Sequence, residues 1–301
     1  MRVLVAGASG LIGTELVRTL RAESHEVRRL VRRRPSAEDE VNWAPSARTI
    51  DVQALGDVDA VVNLSGASIS RLPWTRGYRR ELVESRVAAT RTLADAMNQV
   101  RTPPRVFVSG SAVGFYGDRP GERLTEGSPR GTGFFPDLVE EWEATATLAP
   151  AVTRVVQIRS GVVVAHGGGM APVRTLTGLG LGTRFGTGGQ HWPWISLHDE
   201  VAAIRHLLLA SRLSGPVNLV GPTLATSDRI THGFARRMRR PYLLRAPEGV
   251  IRGALGEAGQ RLLLDSMKVS PVRLQEDGFA WAHPRVEDAI DAVFTRPQPV
   301  E

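Results

Sequence analysis

A doubly wound parallel α/β sheet with a smaller mixed C-terminal region is the fold this sequence predicts, on three observations. Short β-branched runs alternate with amphipathic stretches through the first half, the pattern of strands joined by crossover helices. The first run ends in a glycine turn that opens a helix, Gly7-Ala8-Ser9-Gly10-Leu11-Ile12-Gly13. The texture then changes over residues 161–189, where ten further glycines interrupt any regular period. At 301 residues the chain exceeds the ~100–200 of a usual single domain. Residues 1–165 therefore read as the main domain and 166–301 as a smaller second region.

In order, the strands read as residues 3–6, 27–31, 60–64, 106–109 and 155–158. Leu16, Val17 and Leu20 lie at helical spacing after the first, and Val87, Leu93 and Met97 after the third, so each crossover has an apolar stripe to lay on the sheet. Right-handed crossovers are expected. Positions 161–189 read as loop with room for one short helix, 201–210 as a helix, and 217–220 (Val217 to Val220) as a late strand returning to the main sheet.

Composition excludes several classes. A hydrophobic fraction of 42%, a charged fraction of 23% and a mean hydropathy of −0.13 describe a folded globular chain. No apolar run reaches the ~18 residues of a membrane helix, and the N-terminus lacks a signal-peptide pattern, so cytoplasmic residence without membrane partners is the expectation. The absence of Cys excludes disulfides and thiolate metal sites. His191, His198 and His206 lack metal-binding spacing, so no metal is expected. The net charge of +7 suggests nucleic acid less than it first does: Lys268 is the only lysine and the other 37 basic residues are Arg, a compositional bias. The run Arg236, Arg237, Arg239 and Arg240 reads as a solvated helix end, and no nucleic-acid partner is expected.

The glycine turn carries the strongest functional signal. Glycines at 7, 10 and 13 suit a tight turn, close backbone approach to a pyrophosphate and helix-on-strand packing, while the helix N-terminus offers N–H groups to phosphate. Gly7, Ser9, Gly10, Leu11, Ile12 and Gly13 are accordingly candidate dinucleotide ligands in a Rossmann-type fold. At the end of the second strand an acidic residue would accept from the 2′-OH of NAD, but residues 28–34 read Arg-Arg-Leu-Val-Arg-Arg-Arg. A guanidinium fork suits a 2′-phosphate, so NADP(H) is preferred over NAD(H), with Arg32 the first contact and Arg33 beside it. A solvated basic loop is the alternative.

The sequence resembles the NAD-dependent epimerase/dehydratase family of the extended short-chain dehydrogenase/reductases, in the subgroup with its own C-terminal domain. The likeness rests on the glycine turn, Asn63-Leu64-Ser65-Gly66-Ala67, Ser85-Arg86-Val87 with Thr90, Ser109-Gly110-Ser111-Ala112 with Tyr116-Gly117, Trp142-Glu143, Arg159-Ser160-Gly161, Trp194-Ile195-Ser196 with Asp199, and Gly278-Phe279. The resemblance implies that Asn63, Leu64, Ser65, Gly66 and Ser109 lie along the cofactor, with a structural role for 63–67 the alternative. It also implies that Ser111 and Tyr116 are the catalytic candidates, a strand-ending turn being the alternative for Ser111 and packing near the nicotinamide ring the favoured reading for Tyr116. Arg86 stands where relatives carry Asn; its cation faces cofactor phosphates or substrate, or pairs on the surface with Glu81 or Glu84.

Two departures bear on chemistry. The superfamily's Tyr-x-x-x-Lys pair occurs nowhere, and counting back from Glu143 places Phe135 and Val139 at its two positions. A phenol of pKa ~10 needs a neighbouring cation to exchange protons near pH 7. Trp192 stands where relatives that bind nucleotide-sugars carry Arg; Trp192 and Trp194, with Phe135, are expected to wall a substrate pocket, core packing of the two indoles being the alternative. An NADP(H)-dependent oxidoreductase or epimerase acting on a small organic molecule is the first reading, and a catalytically silent NADP(H) sensor or interaction module the second. Either works as a monomer or homodimer.

Overall fold

The inner strands of the main sheet are covered on both faces, as the first shows: Val3 and Val5 point into one layer while Leu4 and Ala6 point into the other, all fully buried. The structure is a computed structural model and describes residues 1–295. In chain order its first half comprises β1 (Arg2–Ala6), α1 (Leu11–Ala22), β2 (Glu26–Val31), β3 (Glu40–Ala44), β4 (Thr49–Ile50), β5 (Ala60–Asn63), α2 (Arg76–Met97), β6 (Val106–Ala112), β7 (Arg119–Leu124), α3 (Phe134–Ala146) and β8 (Arg154–Ser160). There follow β9 (Val162–Val164), α4 (Ala171–Gly178), β10 (Thr183–Phe185), β11 (Trp194–Ser196), α5 (Leu197–Leu209), β12 (Gly215–Leu219), α6 (Ser227–Arg237), β13 (Leu244–Ala246), α7 (Glu248–Gly259), β14 (Met267–Val269), α8 (Val272–Glu276) and α9 (Val286–Phe294).

The main sheet has eight strands in the order β12-β8-β6-β5-β1-β2-β3-β4, parallel throughout except for β4. Leu16, Val17 and Leu20 of α1 join Ile204, Leu207 and Leu208 of α5 on one face. Ala89, Leu93 and Met97 of α2 join Ala146 of α3 on the other. The strand order reverses between β1 and β5, which opens a crevice beyond their carboxyl ends where such sheets take ligands.

Three features differ from the sequence reading. β3 and β4 extend the sheet beyond β2, where no strands were expected. The stretch 161–189 contains β9, α4 and β10, and β9 pairs in parallel with β11. Helix α5 begins at Leu197 rather than 201, because the Ser196 hydroxyl accepts the Asp199 N–H at 2.9 Å and caps it. Among the described residues no helix is long and apolar enough to cross a membrane, and no group of three or more potential ligands is placed to hold a metal.

Candidate functional site

The three glycines of the first turn are constrained differently. Gly7 has φ +79°, and a Cβ there would lie 2.7 Å from the Leu64 carbonyl. At Gly13 it would fall 2.2 Å from the Gly7 oxygen. Both absences let the turn, the 64–66 loop and α1 close on one another. At Gly10 a Cβ would meet only the Gly7 oxygen, at 3.3 Å, so nothing else in the protein demands glycine there. The Thr14 N–H donates to the Gly10 oxygen, whereas those of Leu11, Ile12 and Gly13 have no acceptor among the described residues. Beside the exposed Ser9 and Gly10 they form a ready seat for phosphate.

Asn63, at the end of β5, is fully buried; its amide donates to Thr90 Oγ1 at 3.0 Å and its oxygen accepts the Ser65 N–H at 3.1 Å. It shapes the loop rather than lining a cleft, which corrects its expected contact with the cofactor. Ser109 is likewise corrected: it is fully buried within β6, its hydroxyl turned to the Gly110 carbonyl. Leu64 is partly buried against the sheet, while Ser65 and Gly66 remain accessible.

The basic run is largely neutralised. Arg29 forks onto Asp39 at 2.6 and 2.9 Å, and Arg33 onto Glu40 at 2.6 and 2.7 Å. Arg29 holds the Asp39 carboxyl down to about 2, and Arg33 does the same for Glu40, also to about 2. Arg28 pairs with Glu26. Exposed Arg32 has no ion pair among the described residues. Asp39 and Glu40 went unnoticed in the sequence because their strand did; they leave Arg32 rather than Arg33 free for an anion.

Beyond the carboxyl ends of β6, β8 and β12 lies a buried polar network. Ser111, 6% exposed, donates its hydroxyl proton to Glu143 Oε1 at 2.6 Å. Arg159 grips both oxygens of Glu143, each at 2.8 Å. Its Nη1 donates to the Tyr116 hydroxyl at 3.1 Å, and that hydroxyl donates to Asn218 Oδ1 at 2.7 Å. The Phe115 ring covers the guanidinium at 3.5 Å. Tyr116 is 0% exposed, and burial raises its pKa against the opposing pull of Arg159. The phenol is thereby locked and protonated, which corrects its place among the catalytic candidates. Behind β8, Glu200 is buried; its Oε1 accepts from Ser160 at 2.5 Å and its Oε2 has no partner among the described residues.

Phe135 sits beside Gly114 and packs edge-on to Trp74 at 5.1 Å, partly exposed. Trp192 and Trp194 do not join it. Trp194, 1% exposed, donates to the Thr223 carbonyl and presses on Gly221, while Trp192, 5% exposed, stacks on Phe185. Both belong to the core formed with Met170, Ile230 and Phe234. The expected tryptophan walls are corrected accordingly: apolar burial holds these indoles inside the second region.

The chain matches the model described as the NAD dependent epimerase/dehydratase family over residues 3–133, and a domain of unknown function (DUF1731) over residues 246–293. Epimerase family protein Mb2239 of Mycobacterium bovis is 39% identical over 98% of each chain. The crystal structure of human epimerase family protein SDR39U1 (isoform 2) with NADPH superposes with a TM-score of 0.88 at 32% identity, covering 97% of this chain and 99% of that one. MoeE5 in complex with UDP-glucuronic acid and NAD shares the fold at a TM-score of 0.78 and 21% identity, over 97% of both chains.

Proposed function

The chain belongs to the epimerase family, whose NAD-dependent epimerase/dehydratase model spans its first sheet strands, and on that premise we propose that it binds NADP(H) and performs a redox step on a small organic substrate. The observation that carries the reading is the unclaimed N–H set of Leu11, Ile12 and Gly13 beneath Gly10, the one glycine of the turn that nothing else in the protein requires. The N–H groups would hold the pyrophosphate, Arg32 the 2′-phosphate, and Ser65 with Gly66 the ribose side of the cleft. The relative SDR39U1 was crystallised with NADPH, in line with that choice. When bound, the nicotinamide supplies hydride exchange.

The protein's own part in the chemistry centres on Ser111: with its proton given to Glu143, its oxygen can accept from the hydroxyl of an alcohol-level substrate at the sheet edge. Glu143, gripped by Arg159, orients that hydroxyl as an acceptor. Both Glu143 oxygens are already committed to Arg159 and Ser111, so the proton is supplied by water and turnover is slow. A specific observation favours the second reading, a silent NADP(H) sensor or interaction module: Phe135 and Val139 occupy the acid/base positions and Tyr116 is sealed. Calorimetry with NADPH followed by turnover against a broad carbonyl panel separates the two. NADPH oxidation that falls on the order of 10–1000-fold in Ser111→Ala supports the enzyme. Tight NADPH binding without turnover supports the sensor, and failure to bind NADPH refutes both.

A further inference from the structure

Arg86 lies on α2 beneath the 64–67 loop, with its Nη1 donating to the Leu82 carbonyl at 2.9 Å and its Nη2 to the Ala67 carbonyl at 3.1 Å. No carboxylate pairs with it among the described residues; Glu81 and Glu84 are exposed and make no such contact. Its Nε has no partner among the described residues and is not sealed from solvent. The guanidinium sits over the face of Trp142, 5.3 Å from the ring centroid. The benzo edge of that same indole abuts Gly110, where a Cβ would fall at 2.8 Å, one residue from Ser111. Gly66 matters here as well: a Cβ on it would lie 3.1 Å from Arg86 Cζ, so the loop covers the cation only because that residue has no side chain.

A cation this desolvated without a counter-ion is an expensive arrangement for a fold to keep for structure alone. Burial pushes its pKa down to about 10, so it stays charged at neutral pH. We infer that Arg86 is the seat for a substrate carboxylate, and that the substrate is therefore an organic monoanion with an apolar body. One guanidinium balances one charge, and the two carbonyl oxygens already bound to it would repel a second, which disfavours a phosphate dianion. The surroundings suit an apolar body: Trp142 and Val139 share a cluster with Phe134, Phe115 and Trp74. Arg86 thus serves substrate rather than cofactor, on the side of the cleft that also carries Ser111. The inference rests on the redox reading above for the position of the reacting oxygen, and on Arg86 alone for the anion.

Benzoate and benzamide, alike in shape and different in charge, are the probes, titrated by calorimetry into the full chain with and without saturating NADP+. Benzoate is expected to saturate and to bind at least about tenfold more tightly than benzamide, as one charge-assisted pair supplies. Arg86→Met should erase that gap, Arg86→Lys should keep part of it, and NADPH affinity should stay within about threefold of wild type in both. If Arg86→Met fails to fold, Gly66→Ala, titrated without NADP+ because Gly66 also borders the proposed cofactor cleft, should weaken benzoate several-fold while leaving benzamide unchanged, since its Cβ must displace the guanidinium by a few tenths of an ångström. Equal affinities, no saturable benzoate binding, or a preference that survives Arg86→Met would overturn the inference. So would loss of NADPH binding in Arg86→Met, which would assign the cation to the cofactor. Wild-type protein that binds benzoate but not NADPH would instead refute the redox reading and leave the anion seat standing.

Discussion

Replacing Glu143 by Gln isolates the energetics of the network under the proposed site. Arg159 is 3% exposed and makes both of its short carboxylate contacts, 2.8 Å each, to this one residue. Glutamine has nearly the same volume but offers one acceptor, turns an NH2 toward the other guanidinium nitrogen and removes the compensating charge. Breaking a buried pair from one side costs about 3–5 kcal/mol, because the remaining charge stays buried. That is a large share of the ~5–15 kcal/mol that holds a typical protein folded. At roughly 2–4 °C per kcal/mol for chains a little shorter than this one, the melting temperature should fall by about ten degrees. Urea unfolding followed by circular dichroism reads the loss directly. The double variant Glu143→Gln with Arg159→Met should be more stable than Glu143→Gln alone, since the orphaned cation is then gone. A loss below about 1 kcal/mol, or a double variant no better than additive, would show that the pair is solvated and that the network does not anchor Ser111.

Arg32→Ala should reduce an NADPH preference of at least about tenfold toward parity, as measured by calorimetry with both reduced cofactors; wild-type protein without any preference would refute the assignment. Gly10→Val should abolish dinucleotide binding while the circular dichroism spectrum is retained, because a Cβ there meets only the Gly7 oxygen, at 3.3 Å; undiminished binding would make the turn purely structural. Tyr116→Phe should cost about 1–3 kcal/mol by stranding Asn218 Oδ1 and one Arg159 N–H, yet leave any turnover per folded molecule intact. A variant that folds fully but loses turnover would return Tyr116 to the chemistry. Glu200 has its carboxyl pushed up to about 8 by burial, against the opposing Ser160 bond. The folded chain therefore holds a proton that the unfolded chain releases above about 4.5, and stability declines as pH rises from there to about 8. Glu200→Gln should flatten that decline in denaturant titrations across this range, and an unaltered slope would count against the buried acid.

The legible parts of the fold were those with local causes. β1 and β5 are legible as short apolar runs, Val3 to Ala6 and Ala60 to Val62, because a parallel strand covered on both faces admits little else. β3 was hidden because it sits near the sheet edge and its sequence, Glu40-Val41-Asn42-Trp43-Ala44, carries a charge whose partner is Arg33 of the preceding loop. The glycine turn could be found because its spacing directly follows β1 and opens α1, although the close approach that fixes Gly7 comes from distant Leu64. The network could not, since Ser111, Glu143, Arg159 and Asn218 come from four elements and Tyr116 meets Asn218 across 102 positions. Trp192 and Trp194 flank a proline and look like exposed walls in sequence; only the packing of α6 and α9 against them decides that they are core.

The route taken by the main sheet has a consequence during synthesis. β12 lies beside β8 in full register, Val217 against Ile158 and Leu219 against Ser160, yet it is translated only after the glycine-rich excursion, β11 and α5. Until then a nascent chain emerging from the ribosome presents the β8 backbone as an open edge, a template for pairing with another chain. Helix α5, which covers the same face of the sheet, arrives just before the closing strand. Ribosomal pausing between residues 160 and 215 would prolong the aggregation-prone interval, and passage of β12 out of the exit tunnel would end it.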